Sequence, residues 1–219
     1  MKAITFTEEN YVKAIYVLAG EAQGHIANRA IAARLDINPA TVTEMLRRLR
    51  EKKLIVYSRS TGARLTKLGR DLALKVVRKH RLWETFLVQK MDFTWAEVHE
   101  VAEQLEHLQS DKLMERLDRL LGYPQFDPHG DPIPDRHGKL PNQKALPLSE
   151  RTPGRKFRLV AVADNSPAFL ALLDTLKLAL NDTIEIIDVR EYDRSLSVIL
   201  GGRTRTTLSR EISDNLLVA

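Results

Sequence analysis

The sequence predicts a mainly α-helical protein with a small β domain at its carboxy-terminal end. Three observations predict this class. The apolar spacing is helical almost throughout the first part of the chain. Seven of the nine prolines then fall between residues 124 and 153, which predicts an irregular connector because proline fixes φ and removes a backbone donor. After about residue 157, short β-rich runs such as TIEIIDV and SLSVIL follow, interrupted by one helix from about Pro167 to Leu178.

The composition predicts an ordinary globular protein. Its 219 residues are 43% hydrophobic and 29% charged, and no apolar run approaches the roughly 18 residues of a membrane span. The first residues, MKAITFTEEN, lack the apolar core of a secretory signal, so we expect a cytoplasmic protein. Cysteine is absent, which excludes disulfides and thiolate ligands. Nitrogen and oxygen atoms must therefore hold any metal.

The positive charge is concentrated at the amino-terminal end. Residues 1–70 carry 13 Lys and Arg against 6 Asp and Glu, whereas residues 71–122 carry 8 against 10. Residues 123–219 carry 13 of each sign, within a total net charge of +5. This asymmetry predicts a polyanionic partner for the first third of the chain.

Two short helices separated by a tight turn are predicted after residue 27. Asn28 is the predicted N-cap of the first, and Asn38 caps the second, with Pro39 at its first helical position. In the second helix, one face collects the apolar residues Val42, Met45, Leu46 and Leu49. The runs LIVYS and ARLT, joined by RSTG, then predict a two-stranded hairpin. Together these elements indicate a winged helix-turn-helix.

The other faces of the second helix carry hydroxyl and guanidinium groups suited to DNA. Such groups reach base edges in the major groove or contact phosphates, and a basic hairpin contacts the neighbouring backbone. The alternative is an ordinary solvated basic face. The candidate DNA-binding residues are Asn38, Pro39, Ala40, Thr41, Thr43, Arg47, Arg50, Arg59 and Arg64.

A polar stripe interrupts the apolar face of the long helix predicted from Thr66 to Met91. His80 and Glu84 follow Val76 by four and eight residues, which predicts that they face inward. Buried polar groups need partners, and a divalent cation is one. The alternative is a set of surface His–Glu pairs.

The next predicted helix starts with Thr94 and Glu97 as a capping box and gathers further ligand types on one face. An amide oxygen on the first helix is a further candidate. The remaining histidines (His25, His129 and His137) lie in predicted loops and are interpreted as solvated. The candidate ligands of these two helices are Asn10, His99, Glu103, Glu106 and His107.

The sequence carries little sign of an enzyme. The pentapeptide HEVAE, from His99 to Glu103, matches the zinc-protease pattern HExxH only in part, because Glu replaces the second His. No Ser, His and Asp spacing and no Gly-rich phosphate loop stands out. We therefore expect a protein without catalytic residues.

These segments resemble the diphtheria-toxin-repressor family of metal-dependent bacterial transcriptional repressors. The resemblance rests on NPATVTEMLRRLREKKLIVY with LTKLG, then KHRLWE, HEVAEQLEH and GDPIP, in that order. It implies a winged-helix DNA-binding domain (1–70), a helical metal-binding and dimerisation domain (71–122), a Pro-rich tether (123–156) and an SH3-like β-barrel (157–219).

The resemblance also implies two metal sites in each subunit. One would contain His80, Glu84 and His99, and the other Asn10, Glu103, Glu106 and His107. Glu103 matches the manganese-responsive members, Asn10 only approximates their Asp, and Lys13 stands where they have Glu. The ligands that the barrel adds in iron-responsive members are replaced by Asn165 and Ala168, with Asp164 as a possible substitute.

We therefore expect a homodimeric, Mn²⁺-dependent repressor that binds palindromic operator DNA and controls genes of metal-ion uptake. Metal ligands on separate helices would couple cation binding to the placement of the two DNA-binding heads. The first alternative is an Fe²⁺-dependent repressor of iron-uptake genes, since imidazole and carboxylate also suit iron. More distant alternatives are a metal carrier module and a zinc hydrolase that depends on Glu100.

Overall fold

The computed structural model describes residues 4–20, 24–142 and 144–219, which form two compact units. Residues 1–3, 21–23 and 143, parts of the predicted DNA-binding domain and tether, lie outside this description. Among the described residues, no helix has both the length and the apolar character to cross a membrane. Unit 1 comprises Met1–His80, Gln104–Asp111 and Pro134–Lys139, and unit 2 comprises Arg81–Glu103, Lys112–Ile133 and Leu140–Ala219.

The first three helices of unit 1 are α1 (Phe6–Ala19), α2 (Asn28–Leu35) and α3 (Pro39–Glu51). The cap of α3 confirms its prediction, because the Asn38 side chain accepts a hydrogen bond from the backbone N–H of Ala40. The predicted cap of α2 is wrong. Ala27 occupies that position without a side-chain bond, and Asn28 is the first helical residue.

The predicted hairpin is present as β1 (Ile55–Ser58) and β2 (Gly62–Leu65), paired antiparallel. Its position depends on Gly62, which has a φ of +88°. A Cβ atom at this glycine would collide with the backbone oxygen of Ile26, which lies next to Ala63 in an isolated β-bridge. The core beneath the hairpin includes the fully buried Ile31, Leu46 and Leu49.

Three further helices follow: α4 (Lys67–Met91), α5 (Trp95–Leu105) and α6 (Asp111–Leu120). The boundary between the two units falls within α4, after His80. The long helix agrees with its prediction, and its polar stripe is buried. The sequence placed Glu106 and His107 in the same helix as His99, but α5 ends at Leu105 and both residues lie in the turn that follows.

The Pro-rich connector is folded more tightly than the sequence predicts. Phe126 and Pro132 form an isolated antiparallel bridge, so residues 126–132 make a compact loop in unit 2. Gly130, with a φ of +87°, lies so close to Ala161 that a Cβ atom would clash with it. The backbone N–H of Val162 also donates to His129 O at 3.0 Å. The loop is therefore compact, although its prolines predicted an extended segment.

The carboxy-terminal part of unit 2 is a six-stranded antiparallel sheet of order β3-β8-β4-β5-β6-β7. The one predicted helix is confirmed as α7 (Pro167–Leu176), and the short α8 (Arg210–Asn215) was not predicted. The sheet core includes Leu159, Ile184 and Val198, and Trp95 and Ala96 of α5 pack against it. The strands are β3 (Leu146–Pro147), β4 (Arg155–Val162), β5 (Thr183–Val189), β6 (Leu196–Leu200), β7 (Thr204–Leu208) and β8 (Leu216–Val218).

Gly62→Ala is expected to destabilise unit 1 by about 1–3 kcal/mol, because the new methyl group meets backbone and the residue keeps a positive φ. Chemical denaturation measures the loss. Gly24→Ala is the matched control, since nothing lies within 4 Å of its added Cβ atom. Equal stability of the two variants would contradict this account of the hairpin.

Candidate functional site

The predicted DNA-binding residues form the solvent-facing surface of α3 and the hairpin. The apolar face of α3 is buried through Val42, Leu46 and Leu49, so its polar positions must face outward. Thr43 is half-buried, and the other candidates are exposed: Asn38, Pro39, Ala40, Thr41, Arg47, Arg50, Arg59 and Arg64.

Thr43 is half-buried because it belongs to a hydrogen-bond network that sequence reasoning missed. The Asn28 amide donates to Thr43 Oγ1 at 3.2 Å and to the Tyr57 hydroxyl at 3.0 Å. One side chain at the start of α2 therefore links α3 to β1. This link orients the helix surface relative to the hairpin before any DNA is bound.

A buried polar cluster lies in unit 1 around α1, and we call it the α1 cluster. Polar side chains of α1 can be buried here because polar side chains of other elements contact them. Glu106 is fully buried, and Glu9 is 3% exposed. Contacts join Glu9 and Lys13 of α1, Lys79 and His80 of α4, and Glu106 and His107 of the turn after α5. We count Glu8 and Asn10 with them as neighbouring polar residues of α1.

Glu9 orients His107, and sequence reasoning did not identify this role. Glu9 Oε2 lies 2.6 Å from His107 Nδ1, and Glu9 Oε1 accepts from Gln109 at 2.9 Å. The Phe6 ring stacks on the imidazole with centroids 4.8 Å apart. The carboxylate partner assigns the imidazole proton to Nδ1, which leaves the lone pair on Nε2. His107 is therefore oriented so that its Nε2 can act as a metal ligand.

Glu106 has one oxygen engaged and one without a donor. Its Oε2 lies 2.6 Å from both Lys13 Nζ and His80 Nδ1. Among the described residues, no hydrogen-bond donor reaches Glu106 Oε1 or the buried Oδ1 of Asn10. His107 Nε2 is 3.9 Å from Glu106 Oε1, beyond hydrogen-bond length. Two oxygen atoms and one nitrogen atom in the same unit thus have lone pairs available for a cation.

The remaining carboxylates of the cluster have basic partners. Lys52 donates to Glu8 Oε2 at 2.8 Å. Burial raises the pKa of Glu8, but this bond and the one from Thr5 outweigh it, so the pKa lies below its ordinary value. Lys79 lies 3.9 Å from Glu9, and burial lowers the pKa of Lys79 against the opposing charges of Glu9 and Glu106.

The predicted ligands of unit 2 meet at Glu84, whose side chain is 3% exposed. His99 Nδ1 lies 3.3 Å from Glu84 Oε1, and His99 Nε2 lies 3.5 Å from Glu103 Oε1. The His99 side chain remains 48% exposed. The structure therefore brings His99 to both carboxylates at a partly open position.

Two residues that were not predicted as ligands also approach Glu84. Ligand atoms of Glu84, Asp127 and His129 lie within 4.8 Å of one another, and all three residues are buried. The interpretation of His129 as a solvated residue is therefore wrong. It is 2% exposed, and its ring contacts Trp95 edge-on. Its burial follows from the compact loop at residues 126–132.

The pKa of Asp127 reflects its burial and the repulsion between carboxylates in this group. Burial raises the pKa of Asp127 well above its ordinary value, and the charges of Glu84 and Asp131 raise it further. Arg81, with Nε 3.6 Å from Asp127 Oδ2, opposes the shift. A divalent cation would relieve this repulsion between carboxylates.

The barrel positions considered from sequence have other partners. Asn165 donates from its amide to Asp131 Oδ2 at 3.2 Å, and Asp164 accepts from the backbone N–H of Ser166 at 2.8 Å. Ala168 offers no ligand atom. His25 and His137 are exposed, as the sequence predicts.

Both groups suit a divalent transition metal. Carboxylate and amide oxygens together with imidazole nitrogen match Mn²⁺, Fe²⁺ and Zn²⁺. A bound ion would give the unpartnered oxygens of Asn10 and Glu106 a ligand contact. It would also lower the raised pKa of Asp127. The residues present therefore fit a metal.

Three family models match consecutive parts of the chain. They are the iron-dependent repressor N-terminal DNA-binding domain at residues 4–63, the iron-dependent repressor metal-binding and dimerisation domain at residues 66–135, and the FeoA domain at residues 146–219. The small sheet of unit 2 is thus the region that matches the FeoA domain.

Similar proteins include metal-responsive repressors for two different metals. The diphtheria toxin repressor of Corynebacterium diphtheriae is 30% identical over 86% of this chain and 87% of its own length. The iron-dependent repressor IdeR of Mycobacterium bovis is 37% identical, and the match spans 61% of this chain but only 58% of that protein. A solved manganese-dependent transcriptional repressor in complex with manganese is 33% identical, with a TM-score of 0.86 over 96% of this chain and 98% of that chain.

The identity to the diphtheria toxin repressor extends over most of both proteins, and the DNA-binding, metal-binding and FeoA regions follow in order. The chain therefore belongs to the diphtheria-toxin-repressor family, whose members are metal-dependent DNA-binding transcriptional repressors and not enzymes.

Proposed function

We propose that this chain is a Mn²⁺-dependent transcriptional repressor that binds a palindromic operator as a homodimer and controls genes of metal-ion uptake in the cytoplasm. The observation that carries the proposal is a pair of buried oxygens, Asn10 Oδ1 and Glu106 Oε1, that have no donor among the described residues. They belong to the same compact unit as the exposed face of α3. A cation bound there acts directly on the DNA-binding unit.

The DNA contacts divide by chemistry along α3 and the hairpin. Arg47 and Arg50 are long enough to reach guanine edges or phosphates, and Thr41 and Thr43 offer short hydroxyls. Asn38 and Ala40 lie at the amino-terminal end of α3, where the positive end of the helix dipole favours phosphate. Arg59 and Arg64 on the hairpin contact the adjacent backbone.

Two ions per subunit are proposed, one in each compact unit. In unit 1, Asn10, Glu106 and His107 hold the first ion. Glu103, which the sequence groups with them, belongs to unit 2. In unit 2, Glu84, Asp127 and His129 hold the second, supported by their proximity and burial. The set predicted from sequence for this second site, His80, Glu84 and His99, is the alternative.

The switch depends on helix α1. Asn10 lies on α1, whereas Glu106 and His107 lie in the turn after α5, so one ion would tie these two segments together. Helix α1 packs against α2 and β2, which are parts of the winged helix. Cation binding would therefore favour one position of α1 and, through it, one arrangement of the DNA-binding surface.

A homodimer is supported by the match to a dimerisation domain at residues 66–135. On or just after α6, Leu113, Leu120 and Tyr123 are 38%, 61% and 64% exposed. Apolar side chains grouped in this way are typical of a surface that a second subunit covers. Two subunits related by a two-fold axis match a palindromic operator.

The proposal predicts that Mn²⁺ induces binding to the chain's own promoter region and that Arg47→Ala weakens it. Loss of a base contact costs about 1–3 kcal/mol of DNA-binding free energy, whereas loss of a phosphate contact makes the DNA affinity less dependent on salt concentration. Mobility shifts with Mn²⁺, Fe²⁺ and Zn²⁺ titrated separately measure both effects.

Arg205→Ala, which changes an exposed arginine of β7, is the matched control and should bind DNA like the wild type. A response to Fe²⁺ alone would favour the iron-dependent alternative. DNA binding that is indifferent to every metal would contradict the proposal, and wild-type affinity of Arg47→Ala at all salt concentrations would contradict the assignment of α3.

His107→Ala is expected to raise the Mn²⁺ concentration for half-maximal DNA binding at least ten- to hundred-fold, on the order seen when metal ligands lose support. Glu103→Ala should act in the same direction. His137→Ala, an exposed loop histidine, is the control and should leave the response unchanged. Equal sensitivity of His107→Ala and His137→Ala would show that the first site is misplaced.

A comparison of His129→Gln with His99→Ala distinguishes the two ligand sets around Glu84. We expect His129→Gln to weaken Mn²⁺ binding at the second site by about ten-fold or more, because His129 is buried beside two carboxylates. His99→Ala should have the smaller effect. Calorimetric titration of full-length protein with Mn²⁺ measures both, and the reverse order would favour the set predicted from sequence.

A further inference from the structure

Lys13 is a buried cation placed among the metal ligands of unit 1. Its residue is 9% exposed, and its ammonium lies 2.6 Å from Glu106 Oε2 and 3.4 Å from His80 Nδ1. Glu106 is itself fully buried. A full positive charge therefore already lies on the carboxylate that is expected to bind a divalent ion.

The other carboxylates of the cluster have partners of their own, and Lys13 lies against Glu106. Glu8 is paired with Lys52, and Glu9 contacts His107, Gln109 and Lys79. The pairing uses only one of the two Glu106 oxygens. Oε1 remains available to an ion, while Oε2 is occupied by Lys13 and His80.

We propose that Lys13 acts as a tethered cation that raises the metal concentration at which the α1 cluster is filled. This inference rests on the proposed metal dependence and concerns the same site. An ion on Oε1 and the ammonium on Oε2 share the Glu106 carboxylate. Each therefore reduces the negative charge that is available to attract the other. Because Lys13 holds Oε2, Glu106 binds the ion through one oxygen and cannot bridge to another ion.

A purely structural role for Lys13 makes a different prediction. If the lysine only neutralised a buried carboxylate, its removal would lower stability without increasing the affinity for metal. A tethered cation predicts opposite effects of removal on the two quantities: the metal-free protein becomes less stable, and the divalent ion binds more tightly. Metal affinity is therefore the decisive measurement.

The test uses full-length protein with Lys13→Gln and Lys13→Met. Glutamine removes the charge but can still donate to Glu106, and methionine removes both. Lys75→Gln is the control, because Lys75 is an exposed lysine of α4 that is not part of the α1 cluster. Mn²⁺ binding is measured from the electron paramagnetic resonance signal of free Mn²⁺, and thermal unfolding is measured in chelator and in saturating Mn²⁺.

For Lys13→Gln we expect the Mn²⁺ concentration that half-saturates the site of the α1 cluster to fall on the order of ten-fold. The unfolding temperature in chelator should also fall, and the increase on adding Mn²⁺ should exceed that of the wild type. Lys13→Met should show the same two changes, with the larger loss in chelator. Lys75→Gln should resemble the wild type in affinity.

Two outcomes overturn the inference in different ways. If the wild type binds Mn²⁺ and both Lys13 variants bind it equally or more weakly, Lys13 is not a competing cation although the proposed function stands. If neither the wild type nor the variants bind Mn²⁺, Fe²⁺ or Zn²⁺, the proposed function fails and this inference fails with it.

Discussion

The buried carboxylate of Glu106 is the constraint around which unit 1 is arranged. A charge removed from water needs close partners, and Glu106 takes two of them, Lys13 from α1 and His80 from α4. Both contacts join segments far apart in the chain, so one ionised group connects the first helix, the long helix and the turn after α5. Its second oxygen has no donor among the described residues. The same group that organises the unit therefore leaves an open position for a cation.

The connection between metal and DNA follows from where α1 packs. Its polar positions contribute to the cluster, and its apolar positions, including Val12 and Ile15, enter the core that also holds Leu46 and Leu49 of α3. A displacement of α1 would therefore be transmitted to the recognition helix through a close-packed core, which resists small shifts of single side chains. Asn28 adds a polar link between α3 and the hairpin. Under the proposed function, the DNA-binding surface would thus respond as one body to an ion bound at α1.

Local signals in the sequence predicted the elements, and long-range contacts determined what was missed. The N-cap Asn38 and the polar stripe on α4 depend on neighbours within one or two turns, so spacing revealed both. Glu9 looks like an ordinary acidic residue near a helix start, and its role arises only from His107, 98 positions away. His129 was misjudged because a Pro-rich segment suggests an extended chain, whereas the close approach of Gly130 to Ala161 folds it into a compact loop. Helix α5 likewise ends at Leu105, and the turn that follows brings Glu106 to Lys13 and His107 to Glu9 over long sequence distances.

Ligand chemistry limits how this protein can distinguish one divalent ion from another. With no cysteine in the chain, thiolate ligands cannot favour the softer metals, and affinities of oxygen and nitrogen sites rise from Mn²⁺ towards the later metals. A tethered ammonium beside Glu106 repels all divalent ions alike, because the interaction depends on charge and distance and not on the identity of the metal. Lys13 therefore sets the concentration at which the site responds but not the metal it selects. In the proposed site, selection would come from the coordination geometry that Asn10, Glu106 and His107 can adopt and from which ion the cell supplies in that concentration range.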